Sequence, residues 1–164
     1  MRRAIEHFAA GSWPKGGEAD SLTLAFDERH RRRYLLKSDA GAPVLLDLAK
    51  AVAMADGDAL RCDDGRFLAV RAAAEELAEI ACADPSELAR IAWHLGNRHL
   101  PTQLCGDRLR IRPDHVIEAM VRLLGATVRP VTAPFQPEGG AYAGAERAPT
   151  HGHAGHHHEH DHAH

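Results

Sequence analysis

Apolar residues in this chain keep one period up to about Arg71 and another after Asp84, and that change limits the fold more than any other feature. In the first part, Leu22, Leu24 and Phe26 recur at every second position, the spacing of a strand with one buried face. Tyr34 to Lys37 and Val44 to Leu48 are further short apolar runs, separated by the turn residues Asp39 to Gly41. Leu60 to Cys62 and Arg66 to Val70 flank Asp63, Asp64 and Gly65, a hairpin signal. These elements predict a small all-β domain over residues 1–72.

The second part reads differently. Asp84, Pro85 and Glu87 combine a capping carboxylate, a proline at the first helical position and an acid three residues after the cap. Leu88, Ile91, Ala92 and Leu95 follow at helical spacing, and Gly96 is the expected terminator. Leu100 to Cys105 and Arg108 to Arg112 flank Gly106 and Asp107, a second hairpin signal. Pro113 and Asp114 open another helix, with Val116, Ile117, Met120, Leu123 and Leu124 on one face and Gly125 closing it. Ala126 to Val131 makes a last strand. Only a leading strand is then missing from a ferredoxin-like βαββαβ pattern. Leu77 to Ala83 is the candidate. Its Ala- and Glu-rich composition favours a helix, but the order of its neighbours favours a strand, and tertiary context overrides propensity. The expectation is an α+β chain: the all-β domain, a ferredoxin-like domain over residues 73–136, and a disordered His-rich tail over residues 137–164.

That tail carries the chemistry. Of its last fourteen residues, eight are histidine (His151, His153, His156, His157, His158, His160, His162 and His164), two are acids, and none is Lys or Arg. Neutral imidazole binds late transition metals strongly. No apolar residue larger than Ala is present from His151 onward, so the segment cannot bury surface and is expected to act as a flexible multidentate trap. A purification tag would be an unbroken His run, whereas Gly, Ala, Glu and Asp interrupt this one.

Composition excludes several other classes. With 164 residues, 45% hydrophobic, 26% charged and a net charge of −3, the chain suits one compact domain or two small ones. Aromatics are only 5%, so the cores rest on Leu, Val, Ile and Ala and gain from dimerisation. No run is apolar enough for a signal peptide or a bilayer span, which points to a cytoplasmic protein without a membrane partner. Cys62, Cys82 and Cys105 form no metal-type pair and read as buried hydrophobes. Arg29 to Arg33 is a dense basic run, read as a solvated strand end rather than a nucleic-acid contact, with docking of an acidic protein as a third reading. No phosphate loop or nucleophile motif is present, so no enzyme activity is expected.

Residues Ala92 to Pro101 contain the unbroken core His94-Leu-Gly-Asn-Arg-His99. With Asp114-His115-Val116, the segment Ala133 to Tyr142 and the His tail, the chain resembles urease accessory proteins of the UreE type. The resemblance runs from about Ser21 to the end. It implies an N-terminal domain similar to the peptide-binding domain of certain co-chaperones and a ferredoxin-like domain that forms a homodimer. It further implies that His99 binds Ni2+ with its twin across the dimer, and that the protein works with the urease accessory GTPase and the urease apoprotein–accessory complex. Some relatives have an extra histidine shortly before the D-H-V segment; here Ile111, Arg112 and Pro113 stand there, which weakens a secondary site at His115.

The residues themselves agree with this. A single imidazole holds a divalent ion weakly, but a two-fold axis supplies a second copy, and mobile tails can complete the shell. The candidate ligands are therefore His99, His115 and the eight tail histidines, with Ni2+ as cargo and Zn2+ or Cu2+ as competitors at the same sites. His94, beside Trp93, reads as a packing or surface residue, and His7 and His30 receive no role. The rival reading is a general divalent-metal store with no client. An RNA-binding ferredoxin-like protein would need aromatics on its sheet, and Leu100 to Arg112 has none.

Overall fold

The computed structural model describes residues 1–140. Its first part is a six-stranded sheet built from β1 (Arg2–Phe8), β2 (Glu18–Leu24), β3 (His30–Lys37), β4 (Pro43–Ala53), β5 (Ala59–Cys62) and β6 (Phe67–Ala72), in the order β2-β6-β5-β1-β4-β3. The Asp63–Gly65 turn joins β5 to β6 as an antiparallel hairpin, with Gly65 at φ 81° where a side chain would strain the backbone. Two pairs are parallel, β1 with β4 and β2 with β6, and both join strands far apart in sequence. The core holds Leu22, Leu24, Leu46, Leu60, Leu68 and Val70.

Local pattern reading assigns no element to Arg2–Phe8, yet β1 lies inside the sheet between β5 and β4. Its burial is the reason: Ala4 alone is fully buried among exposed or half-buried neighbours, so no apolar alternation marks the strand. Arg29 is a second departure. It is 3% exposed, not part of a solvated strand end. Its guanidinium donates to the backbone oxygen of Phe135 and, at 2.6 Å, to Gln136 Oε1. It also lies 5.8 Å from the Phe26 ring centroid. Phe26 meets the fully buried Phe135 edge-on at 5.3 Å, so this arginine fastens the segment after the last strand onto the first sheet.

The second part runs β7 (Ala74–Ala81), α1 (Pro85–Asn97), β8 (Gln103–Leu104), β9 (Arg108–Ile111), α2 (His115–Leu123) and β10 (Thr127–Pro134). Its four strands are ordered β10-β7-β9-β8, every neighbour antiparallel. The segment whose composition favours a helix is thus a strand, beginning at Ala74 rather than Leu77. The physical reason is burial on both faces: Leu77, Ala78, Glu79 and Ile80 are all buried in the middle of the sheet, and a helix would cover only one stripe. Ala78 and Ile80 pack with Ile91, Leu95, Leu109, Ile111 and Val121 in a core beneath the two helices. No helix among the described residues is long and apolar enough to cross a membrane.

Candidate metal centre

Both helices are set by their ends. Asp84 accepts the Ser86 backbone N–H at 2.6 Å, and Asp114 accepts those of Val116 and Ile117 at 3.0 and 3.1 Å. At the other end of α2, Gly125 stands at φ 94°. Its N–H donates to Arg122 O at 3.0 Å, and the Ala126 N–H reaches back to Val121 O at 3.0 Å. This is the Schellman closure, with glycine in the left-handed position.

Helix α1 closes in the same way, but not on glycine. Gly96, the expected terminator, stays inside the helix. The left-handed position belongs to His99, at φ 55°, the one non-glycine residue with positive φ among those described. Its N–H donates to Gly96 O at 3.0 Å, and the Leu100 N–H reaches back to Leu95 O at 3.3 Å. Leu95 is buried in the second core and Leu100 packs against the same core, the apolar burial that accompanies this motif. The buried leucine at one end and the return bond at the other hold the backbone of His99 in a turn and leave its side chain exposed.

A β-carbon in this backbone region costs about 1–2 kcal/mol relative to glycine. The chain carries that cost at the histidine its motif singles out, while the equivalent turn after α2 uses glycine. Retention of a strained non-glycine residue is a mark of functional sites. The signal was available in sequence: Leu95 and Leu100 stand five apart, the spacing of the apolar pair that brackets a left-handed residue at position 99.

His115 is the first residue of α2 and is exposed. The chain neighbours of the two candidates, Leu100 and Asp114, line one cavity of ≈190 Å³ with Pro101, Ile111, Arg112 and Pro113. His94 is half-buried on α1, its ring edge-on to Trp93 at 5.1 Å, and its backbone oxygen accepts from Arg98 at 3.2 Å. Among the described residues, no three His, Cys, Asp or Glu side chains gather closely enough to enclose an ion. The eight tail histidines, His151 to His164, lie outside the described residues. His7, given no role from sequence, bonds Asp58 at 2.7 Å, and that buried carboxylate also accepts the backbone N–H groups of Ala10 and Ala55, both at 2.8 Å. It is a structural clamp: burial works to raise the Asp58 carboxyl, but His7 and then the two backbone donors together hold it below the usual carboxylate range.

Residues 2–73 match the model of the UreE urease accessory protein N-terminal domain, and residues 75–164 that of its C-terminal domain. The chain belongs to the UreE family of urease accessory proteins. UreE proteins of Rhodopseudomonas palustris (strain BisB18) and Bradyrhizobium sp. (strain BTAi1) are 59% and 54% identical to it, over 94% and 92% of this chain and 72% and 73% of their own lengths. The UreE protein of Agrobacterium fabrum (strain C58) is 47% identical over 97% of this chain and 93% of its own length. UreE is an accessory family and not an enzyme family.

Proposed function

We propose that the protein is a cytoplasmic nickel metallochaperone that delivers Ni2+ for assembly of the urease active site. It acts as a homodimer in which His99 and its symmetry mate form one shared site. The observation that carries this reading is the conformation of His99: an exposed imidazole held in a left-handed turn where glycine would cost less. An isologous dimer repeats each residue, so a His99 lying at the axis supplies two such imidazoles without further sequence. The same domain leaves Trp93, Leu104, Val116 and Leu123 exposed, apolar surface that favours association. A site with so few fixed ligands releases its ion readily, as delivery requires. His115 and the tail histidines complete or feed the shell, and Zn2+ or Cu2+ compete there by ligand chemistry.

The strand order of the second part, with all neighbours antiparallel, supports reading residues 73–136 as a ferredoxin-like dimerisation and metal-binding unit. Residues 1–72 then form the partner-binding unit. A groove of ≈820 Å³ supports that reading: β1 and β4 pair only from Arg2 to Ala4 and then diverge, leaving Phe8, Lys50 and Val52 along its walls. The urease accessory GTPase and the urease apoprotein–accessory complex are the expected partners.

The test is His99→Ala in the full chain. The dimer should persist, the shared site should vanish while the tail still binds nickel heterogeneously, and transfer to apo-urease should fail. His94→Ala is the control and should bind and deliver like the parent. Normal delivery by His99→Ala would overturn the proposal.

A further inference from the structure

The four-stranded sheet has a second face that neither the helices nor the metal reading uses. Side chains alternate along a strand, so Glu79 points away from the core that Ala78 and Ile80 build with the helices. In the register of the sheet, Arg129 on β10 and Arg110 on β9 lie directly opposite Glu79 from either side, and Arg108 follows two residues along β9 on the same face. All three guanidiniums converge on the one carboxylate. Arg108 Nη1 reaches Glu79 Oε1 at 2.9 Å, Arg110 Nε and Nη2 reach Oε2 at 2.9 Å, and Arg129 Nε and Nη2 reach Oε1 at 2.9 and 2.6 Å.

One bidentate arginine is enough to balance a buried carboxylate. Three exceed it. The Glu79 side chain is 2% exposed, whereas those of Arg110, Arg108 and Arg129 are 26%, 41% and 64% exposed. The bonds to Glu79 leave Nη2 of Arg108 and Nη1 of both Arg110 and Arg129 for an outside acceptor. The turn residue Asp107 offsets part of the excess, 3.6 Å from Arg108 Nε, and the row still carries net positive charge. It is a basic island in a chain of net charge −3, assembled from three strands that are distant in sequence.

We infer that the Arg108–Arg110–Arg129 row, pre-oriented by the buried Glu79, is a docking surface for an acidic, extended segment of another protein. Guanidiniums already fixed in place lose little freedom when they bind a second carboxylate. The row crosses three strands, about 10 Å, which matches two or three residues of extended chain. A nucleic acid fits poorly: sheets that read single strands stack bases on aromatics, and β7, β8, β9 and β10 contain none. The segment docks on the face and not by strand addition, because Pro130 and Pro134 interrupt the donors of the edge strand β10.

The experiment titrates fluorescein-labelled hexaglutamate, hexaglutamine and oligouridine into the full-length protein and follows anisotropy. Hexaglutamate should bind and hexaglutamine should not, and binding should fade by about 0.5 M salt. Arg110→Gln and Arg129→Gln should each weaken it about three- to five-fold. Arg108 still balances Glu79 in either variant, so circular dichroism and nickel uptake should match the parent; the metal proposal and this one therefore fail separately. Arg31→Gln/Arg33→Gln, on the other sheet, should leave hexaglutamate binding unchanged. Equal binding by the Arg110 and Arg129 variants overturns the inference. So does oligouridine that binds more tightly than hexaglutamate and is lost in those same variants.

Discussion

At the scale of single residues, His99 and Glu79 each hold an unfavourable position for which a neighbour compensates. His99 occupies a left-handed turn that Gly125 occupies without strain after α2. Replacing it by glycine removes the β-carbon clash and adds back some unfolded-chain entropy. His99→Gly should therefore gain roughly 0.5–1 kcal/mol in metal-free denaturant melts while losing the shared nickel site. His99→Ala keeps the strain and should not exceed the parent in stability. A glycine variant that is both less stable and fully nickel-competent would separate this turn from the site. Glu79 is a carboxylate held at about 2, chiefly by its hydrogen bond to Arg129 and then by those to Arg108 and Arg110, against the opposing effect of burial. Its folded value lies below the unfolded one of 4.5, so its contribution is full above that pH and is lost as pH falls from about 4.5 towards 2. Roughly 2 kcal/mol should disappear over that window, allowing for screening of the exposed arginines. Glu79→Gln should flatten this part of the acid-unfolding profile.

At the scale of elements, the helices were legible and the strands only in part. Helix ends are local: a capping Asp, a proline or acid near it, and a glycine or turn residue after the last apolar position fix them within a few residues of chain. Asp84→Ala should cost about 1 kcal/mol, read as a lowered melting midpoint with α1 still formed. Only the end of α1 misleads, since Gly96 looks like the terminator but the return bond from Leu100 carries the turn on to His99. Strands β1 and β7 were not local. The first shows no alternation and the second favours a helix, and both are strands because partners distant in the chain bury them. Arg29 makes the same point at the junction. It looks like the start of a basic run, yet it is buried against Phe26 and the 135–136 segment. Arg29→Met should strand the Phe135 oxygen and leave Gln136 Oε1 only the Asp56 N–H, cost about 2–3 kcal/mol, and speed hydrogen exchange at the Gln136 and Glu138 amides.

For the whole molecule, metal capacity and fold should separate. From His151 onward the chain has no residue able to build a core, while the described part holds two cores of its own. Truncation after Thr150 should leave the melting temperature within error and remove most bound nickel, with about one ion per dimer remaining, counted by native mass spectrometry. Unchanged stoichiometry would place the metal elsewhere. Imidazole coordinates only when neutral, so nickel bound by the full chain should be released as pH falls through about 6 to 5. Retention at acid pH would point to carboxylate ligands.

Sequence alone determined what depends on neighbours within a turn or two: the two helices and their N-caps, the hairpins at Gly65 and Gly106, and the histidines gathered in the tail. It also placed His99 just past a helix end. Tertiary structure decided what depends on contacts across the chain. It made strands of Arg2–Phe8 and Ala74–Ala81, buried Arg29 at the junction, and drew Arg108, Arg110 and Arg129 around Glu79. The reason is the same in each case. Periodicity records which face of an element is buried, but not which distant strand covers it or which charges are thereby brought together.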